Sequence, residues 1–507
     1  MNQVDMKQAE KQSDKLAPPL GDMDAAEFRR YGHEIIDWIS DYLENMERYP
    51  VLAPVRPNEF REKIPAAAPA HGESMEAILA DVNDLVAPAL THWNHPSFFA
   101  YFSISASAPG IFGELLAAAF NVNQMLWRTA PAATELEEVS LAWLRQMLGL
   151  PDEFQGIIYD TASISTMHAI AAARENLDLQ IRERGMSGRE ALPLLRVYAS
   201  EQAHSSIEKA LIALGLGQNS LCKIPTDEVF RMDAHALARA IEEDKRRGAL
   251  PFCVVATVGT TSTTSIDPVN DIADVCEAHK LWLHVDAAYG GSAAVVPEMR
   301  FVLDGCERAD SIVTNPHKWL FAPIDCSALY CRRMDILRRA FSLVPEYLRT
   351  TDAPEEVRNG MDYGVQLGRR FRALKLWMVM RYFGQEGLAA RIREHWRLAR
   401  LFASWVEASN DWELSAPVPF GLVCFRARPQ IAPDDTAEQR DAHLNALNEA
   451  VMHNVNATGE VFLSHTKLHD SLVLRLAVGN IRTTEKHVRR AWQLLNEQLA
   501  HLASVKP

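Results

Sequence analysis

The chain is 507 residues long, 48% hydrophobic and 23% charged, a composition that excludes a small disulfide-stapled fold, a mainly disordered chain and a membrane-embedded one. That length exceeds a single hydrophobic core of ordinary size, so two or three domains are expected. With 52 Lys+Arg against 66 Asp+Glu the formal net charge is -14, which argues against nucleic acid or an anionic membrane as the main partner and leaves the polarity of an internal site open.

Residues 1–20 read as a frayed arm, polar and without the apolar run of a secretion signal. Met23 to Met46 carries Phe28, Ile35, Ile36, Ile39 and Leu43 at helical spacing and reads as an amphipathic helix. Tyr49 to His71 holds five prolines and is expected to run extended before a helix over Ser74 to Leu85. From about residue 135 the pattern changes to short β-branched runs alternating with helical ones. Strands are expected at Gly156–Tyr159, Arg196–Ala199, Phe252–Val258, Leu281–Asp286, Ser311–Thr314 and Ala328–Cys331, with helices at Ser165–Asn176, Ser205–Leu214 and Val269–His279. Repeated βα units of this kind predict a mainly parallel sheet covered by helices, with a ligand site at the carboxyl ends of its strands. After Gly364 come two helices, Arg370–Phe383 and Leu388–Ser409, then strand-like Leu422–Arg426, a helix over Ala437–Val455 and strand-like Leu472–Leu476, a pattern that reads as a separate α+β domain. No stretch reaches the roughly 18 uninterrupted apolar residues of a membrane span, so the cytoplasm is the expected location. The seven cysteines are odd in number, form no C-x-x-C pair and read as buried thiols.

Four strand-to-helix junctions carry the chemistry. In Asn315-Pro316-His317-Lys318-Trp319-Leu320 a lysine follows a buried strand among apolar neighbours, where desolvation favours the neutral, nucleophilic amine; a lysine with its head in solvent would read the same way. Asp286, in His284-Val285-Asp286-Ala287-Ala288-Tyr289, also ends an apolar strand. Its carboxylate can hold a pyridinium nitrogen protonated or merely cap a turn, and Ala287 and Ala288 leave room for a flat ring beside the backbone. Thr161-Ala162-Ser163 opens a helix and suits a phosphate, as it would a plain N-cap. His204 enters another helix, where it can stack on a ring or make a local hydrogen bond. Two other patterns carry little. His92-x-x-His95 lacks an evident third metal ligand, so no metal is expected, and Gly215-Leu216-Gly217 lacks the spacing of a dinucleotide loop.

The order of these elements, together with Trp93 to Phe102, Pro131 to Glu138, Gly259-Thr260-Thr261 and Leu367-Gly368-Arg369-Arg370-Phe371-Arg372, resembles the pyridoxal-phosphate (PLP)-dependent group II amino-acid decarboxylases, and most closely the aromatic-L-amino-acid decarboxylases, over residues 25–500. The resemblance implies an α/β chain of fold type I with a mainly parallel seven-stranded sheet. It implies an N-terminal helical arm over 1–107, a large PLP-binding domain over 108–374 and a small C-terminal α+β domain over 375–507. It also implies roles. Lys318 would bind the cofactor covalently, Asp286 would partner its ring nitrogen, and His204 would stack on the ring. Ala162, Ser163 and Asn315 would hold the phosphate, with Thr261 near the ring hydroxyl and Ala288 and His317 beside ring and lysine. Tyr347 matches a loop tyrosine that returns a proton to Cα after carbon dioxide leaves.

The expected substrate pocket is Trp93, Tyr101, Phe102, Ile104, Asn123, Met125, Ile324 and Gly368, part of it borrowed from the second subunit of a homodimer around residues 123–127. Ser103 and Ile104 stand where the animal pattern has Pro-Thr, so recognition of a catechol is not expected. The implied activity is decarboxylation of an amino acid of tryptophan, phenylalanine or tyrosine type. The alternatives are a branched aliphatic or methionine-like substrate, an oxygen-dependent aldehyde synthase, and a silent binding protein on the same fold.

Overall fold

The protein is described here by a computed structural model over residues 21–343, 357–429 and 436–504. Helix α1 (Ala25–Glu44) begins where the Asp24 carboxylate accepts the N–H groups of Ala26 and Glu27 at 2.8 and 2.9 Å, satisfying donors that a helix start otherwise leaves free. It is tied to α2 (Met75–Asp81) by Arg30–Glu76 at 2.9 Å, and the Trp38 indole donates to Asn83 at 3.1 Å just beyond that helix. Residues 21–49 and 55–90 form one compact unit. The proline-rich stretch after Tyr49 carries one helical turn, Glu59–Glu62.

The second unit comprises residues 50–54 and the chain from 91 onward. Its elements are, in order, α3 (Ala108–Phe120), α4 (Pro131–Leu148), β1 (Gln155–Tyr159), α5 (Ala162–Glu175), β2 (Leu195–Ser200), α6 (Ser206–Ala213), β3 (Leu221–Ile224), α7 (Ala234–Arg246), β4 (Leu250–Thr257), α8 (Val269–His279), β5 (Trp282–Asp286), β6 (Ser311–Thr314), β7 (Ser327–Cys331) and α9 (Met334–Phe341). The seven strands form one sheet in the order β1-β7-β6-β5-β4-β2-β3, parallel except for β7, which runs antiparallel to both β1 and β6. The mainly parallel seven-stranded sheet expected from the sequence is thus present.

Alternate residues of the central strands enter different cores. Val254 and Ala256 of β4 pack with Ile241 of α7 and Ile272 of α8, whereas Cys253 and Val255 pack with Ala169 of α5 and Leu211 of α6. A strand buried on both faces has no polar side, so it reads as a continuous apolar run. β3 has no such run: it is an edge strand paired only with β2, with Leu221 and Cys222 half-buried, Lys223 exposed and Ile224 alone buried.

The chain continues through α10 (Ala373–Glu407), broken at Gly384, whose φ of 63° few other residues adopt; the sequence reading placed two helices here. Then follow β8 (Trp412–Leu414), β9 (Leu422–Ala427), α11 (Ala437–Ala457), β10 (Ser464–Leu468), β11 (Ser471–Ala477) and α12 (Glu485–Ser504). The four strands form an antiparallel sheet, β10-β11-β9-β8, around a core that includes Phe402, Phe425, Val451, Leu474 and Leu495. Among the described residues no helix is long and apolar enough to cross a membrane. The cysteines are free thiols, buried except for the half-buried Cys222.

Candidate active site

The carboxyl ends of β4, β5 and β6 lie in register, with Thr257 opposite Asp286 and Asp286 opposite Val313. A cavity of about 430 Å³ opens beyond them, in the crevice where open α/β sheets bind ligands. At one end stand Thr161, Ala162 and Ser163, where α5 leaves β1. The first N–H groups of a helix have no partner within it, and with the helix dipole they attract an anion. Facing the same cavity is Asn315, which follows β6 and caps the single helical turn Pro316–Trp319 that carries His317 and Lys318.

Asp286 ends β5, is buried, and accepts the N–H of Ala288 at 3.1 Å. Burial lowers the pKa of Lys318, and the charge of Asp286 opposes that shift. The amine is therefore deprotonated more readily than an ordinary lysine, as a nucleophile requires. His204 enters α6, and its Nδ1 accepts the Ser206 N–H at 3.1 Å, which leaves the proton of the neutral ring on Nε2. Partial desolvation lowers the His204 pKa, Lys318 adds to the effect and Asp286 opposes it. Thr257 Oγ1 and Asn315 Oδ1 are buried at the cavity without a partner among the described residues. Buried polar atoms are rarely left unpaired, so the cavity is fitted to a ligand that carries polar groups.

Thr261 lies in a turn that begins at Gly259, whose φ of 88° requires glycine and where a Cβ would meet Gly290 N at 3.0 Å. The turn closes through Gly259 and Thr260 N–H groups donating to Ser265 O, both at 3.0 Å. Arg475 of β11 clamps it from the antiparallel sheet, donating to Thr261 O at 2.8 Å, Ser262 O at 3.2 Å and Ser464 Oγ at 3.1 Å. Arg475 lines the cavity and went unassigned in the sequence reading, although a lone arginine within the apolar run of β11 was a signal. Tyr289, three residues beyond Asp286, has a packing role that the sequence motif does not reveal. It stacks on Phe102 at 3.8 Å and 8°, and on Trp319 at 4.9 Å and 11°.

Of the expected substrate wall, Trp93, Tyr101, Phe102, Ile104 and Ile324 line this cavity. Asn123, Met125 and Gly368 do not. They gather elsewhere: Asn123 Oδ1 accepts the Arg369 N–H at 3.0 Å, Asn123 Nδ2 lies 3.6 Å from Met125 Sδ, and a Cβ on Gly368 would lie 3.7 Å from Asn123 Nδ2. The buried pair Arg369–Glu137, at 2.8 Å, anchors that group, and Gln124 donates to Glu137 at 2.8 Å. Tyr347 lies outside the described residues. Among the described residues, no group of three or more His, Cys, Asp or Glu side chains is placed to hold a metal ion.

A nucleophilic lysine, a carboxylate on the neighbouring strand and a helix N-terminus, gathered at the carboxyl edge of this sheet, define a PLP enzyme of fold type I. The chain belongs to the pyridoxal-dependent decarboxylase family: residues 57–428 match the pyridoxal-dependent decarboxylase conserved domain. It is 40% identical over 489 residues to the aromatic-L-amino-acid decarboxylase of Bos taurus, covering 94% of this chain and 97% of that one. It is 38% identical over 492 residues to the phenylacetaldehyde synthase of Arabidopsis thaliana, covering 95% and 98% respectively. The crystal structure of Oryza sativa TDC with PLP and tryptamine superposes with a TM-score of 0.90 at 38% identity, over 96% of this chain and 99% of that one. The protein is a PLP-dependent decarboxylase.

Proposed function

We propose that the protein decarboxylates an L-amino acid with an aromatic side chain, of tryptophan, phenylalanine or tyrosine type, to the amine and carbon dioxide. The observation that carries this reading is the aromatic wall of the cavity: Trp93 and Tyr101 stack at 5.7 Å, and Phe102 lies beside Lys318. Flat walls of this kind favour a flat side chain.

Bound PLP supplies an electron sink for the pair released when the bond from Cα to the carboxylate breaks. Lys318 would hold the cofactor covalently and release it to the incoming substrate amine. Ala162, Ser163 and Asn315 would hold the phosphate, Asp286 would keep the ring nitrogen protonated, and Thr261, Ala288 and His317 would border the ring and lysine. His204 would cover the ring face. Tyr347 would return a proton to Cα, completing the amine.

Asn123, Met125 and Gly368 stand away from their own chain's cavity, and α3 exposes Phe112, Leu115, Leu116 and Phe120. Both features support a homodimer in which each subunit lends that group to its partner's site. The proposed domain boundaries are 1–107, 108–374 and 375–507, and the proposed location is the cytoplasm.

Two other substrate or product readings have specific support. Ile104 and Ile324 line the cavity and suit a branched aliphatic or methionine-like side chain. The similarity to a phenylacetaldehyde synthase keeps an aldehyde-forming reaction in view. A panel of amino acids scored together for carbon dioxide, amine and hydrogen peroxide tests all three. Amine matching carbon dioxide with aromatic substrates is expected, peroxide in step with carbon dioxide would replace the reading with the synthase, and cofactor bound without turnover would leave only a binding protein.

A further inference from the structure

We propose that Asp325 and Arg372 are positioning residues for the phosphate end of the cavity: through the Cys326 N–H and His317, they turn the Asn315 amide so that its NH2 group faces the bound anion. This rests on the PLP reading of the site.

The relay begins at His317. Its Nδ1 accepts the backbone N–H of Cys326 at 2.9 Å, and its own backbone N–H donates to Cys326 O at 3.4 Å. A nitrogen that accepts carries no proton, so the single proton of the neutral ring resides on Nε2. The ring is neutral because burial, with the charges of Lys318 and Lys375, pushes its pKa down to about 3. Nε2–H is therefore a donor in need of an acceptor.

Asn315 is the group it meets, with Nδ2 at 3.2 Å from Nε2 while Oδ1 is buried without a partner among the described residues. Two donors opposite each other and an idle acceptor nearby are relieved by one motion. Turning the amide half a turn about its Cβ–Cγ bond sets Oδ1 against Nε2–H and carries the NH2 group to the place of the idle oxygen. Asn315 then brings two N–H donors to the cavity that the N-terminus of α5 also lines. In the opposite tautomer Nε2 would accept instead, and the amide would keep its NH2 group on His317 and its oxygen toward the anion.

The tautomer depends on the place of the Cys326 N–H, and Asp325 holds that segment. Its carboxylate takes both arms of Arg372, at 2.8 and 3.2 Å, with Lys375 Nζ at 4.0 Å. Such a fork fixes orientation as well as distance. Pro323 of the same segment packs closely against α3 at Gly110, where a Cβ would lie 2.3 Å from Pro323 Cδ. Asp325 and Arg372 are not among the residues lining the cavity, so their effect reaches it through backbone and His317.

The test compares full-length apoprotein binding PLP with the same protein binding pyridoxal, which lacks the phosphate. Asp325→Asn and Arg372→Lys are expected to weaken PLP binding roughly ten- to hundredfold, the loss of a hydrogen bond to a charged group, and to change pyridoxal binding less than about twofold. Asp325→Glu, which keeps the charge, should recover part of the loss. Equal weakening toward both ligands, or unaltered PLP affinity in both variants, would overturn the proposal. If the wild type binds neither ligand, the cofactor reading fails instead. The ¹⁵N spectrum of His317 in the wild-type protein tests the relay independently of how the variants fold: a protonated Nε2 with a bare Nδ1 is expected, and the opposite tautomer would overturn it.

Discussion

Lys318 and Phe102 meet across the cavity with the ammonium nitrogen 5.4 Å from the ring centre, and the ring is held there by its stack on Tyr289. The ring attracts the amine when it is charged and bounds it when it is neutral, so the lysine is held near one place despite its long flexible stem. Lys318→Ala is expected to keep the fold, lose the visible absorption of covalently bound cofactor, and release carbon dioxide at least about a hundredfold more slowly. An absorption band that survives the substitution would show that another amine holds the cofactor.

Arg475 is a buried guanidinium that meets carbonyl and hydroxyl oxygens, the Cys424 thiol and the Phe102 ring; among the described residues no carboxylate pairs with it. Its removal would cost the Thr261 carbonyl its guanidinium donor, leave the Ser262 carbonyl with the Cys424 thiol at 3.2 Å, and free the turn that borders the cavity. Arg475→Met should therefore reduce unfolding free energy by about 2–4 kcal/mol. Urea denaturation measures this, and a loss below about 1 kcal/mol would mean that the turn holds itself.

Asp267 supplies a pH dependence. Its two oxygens accept the Met232 and Thr257 N–H groups, each at 2.8 Å, yet burial pushes its pKa up to about 6. With the folded value above the unfolded one, the unfolded state gives up this proton first. Stability from this site is therefore greatest below the unfolded pKa of 3.8 and declines as pH rises toward 6. Asp267→Asn cannot ionise, and its NH2 must oppose one of the two N–H donors. The variant should be the less stable protein at pH 4, by a margin that narrows toward pH 6.5. Melting temperatures across that range check this, and a constant margin would place the ionisation elsewhere.

Leu115 is 54% exposed on α3, beside the other exposed apolar residues of that helix. Placing a carboxylate there should separate a dimer that buries this face. Leu115→Glu is expected to shift sedimentation from dimer to monomer and to raise KM, because each site would lose the residues lent by its partner. A dimer that persists would place the interface on another surface.

Much of this architecture is legible in the chain. Ser311–Thr314 and Val269–His279 form the strand and helix expected, and Lys318, Asp286, His204, Ser163 and Asn315 converge on one cavity from four separate stretches, Asn315 and Lys318 sharing one. They are legible because strands buried on both faces leave continuous apolar runs, and each functional side chain follows such a run. The direction of β7 is not legible: burial selects composition, and the same apolar residues serve a strand running either way. Nor is β3, whose exposed edge needs no apolar run, or the role of Arg475, which depends on the second sheet approaching the Thr261 turn.

The amino-acid order alone determined which residues stand at strand ends and which kind of ligand they suit, since both follow from local burial and side-chain chemistry. Only the tertiary structure decided that Asn123, Met125 and Gly368 gather apart from the cavity, and that Asp325 stands behind His317. Those relations join segments far apart in the chain, and their distances depend on how sheets and helices pack rather than on any local pattern.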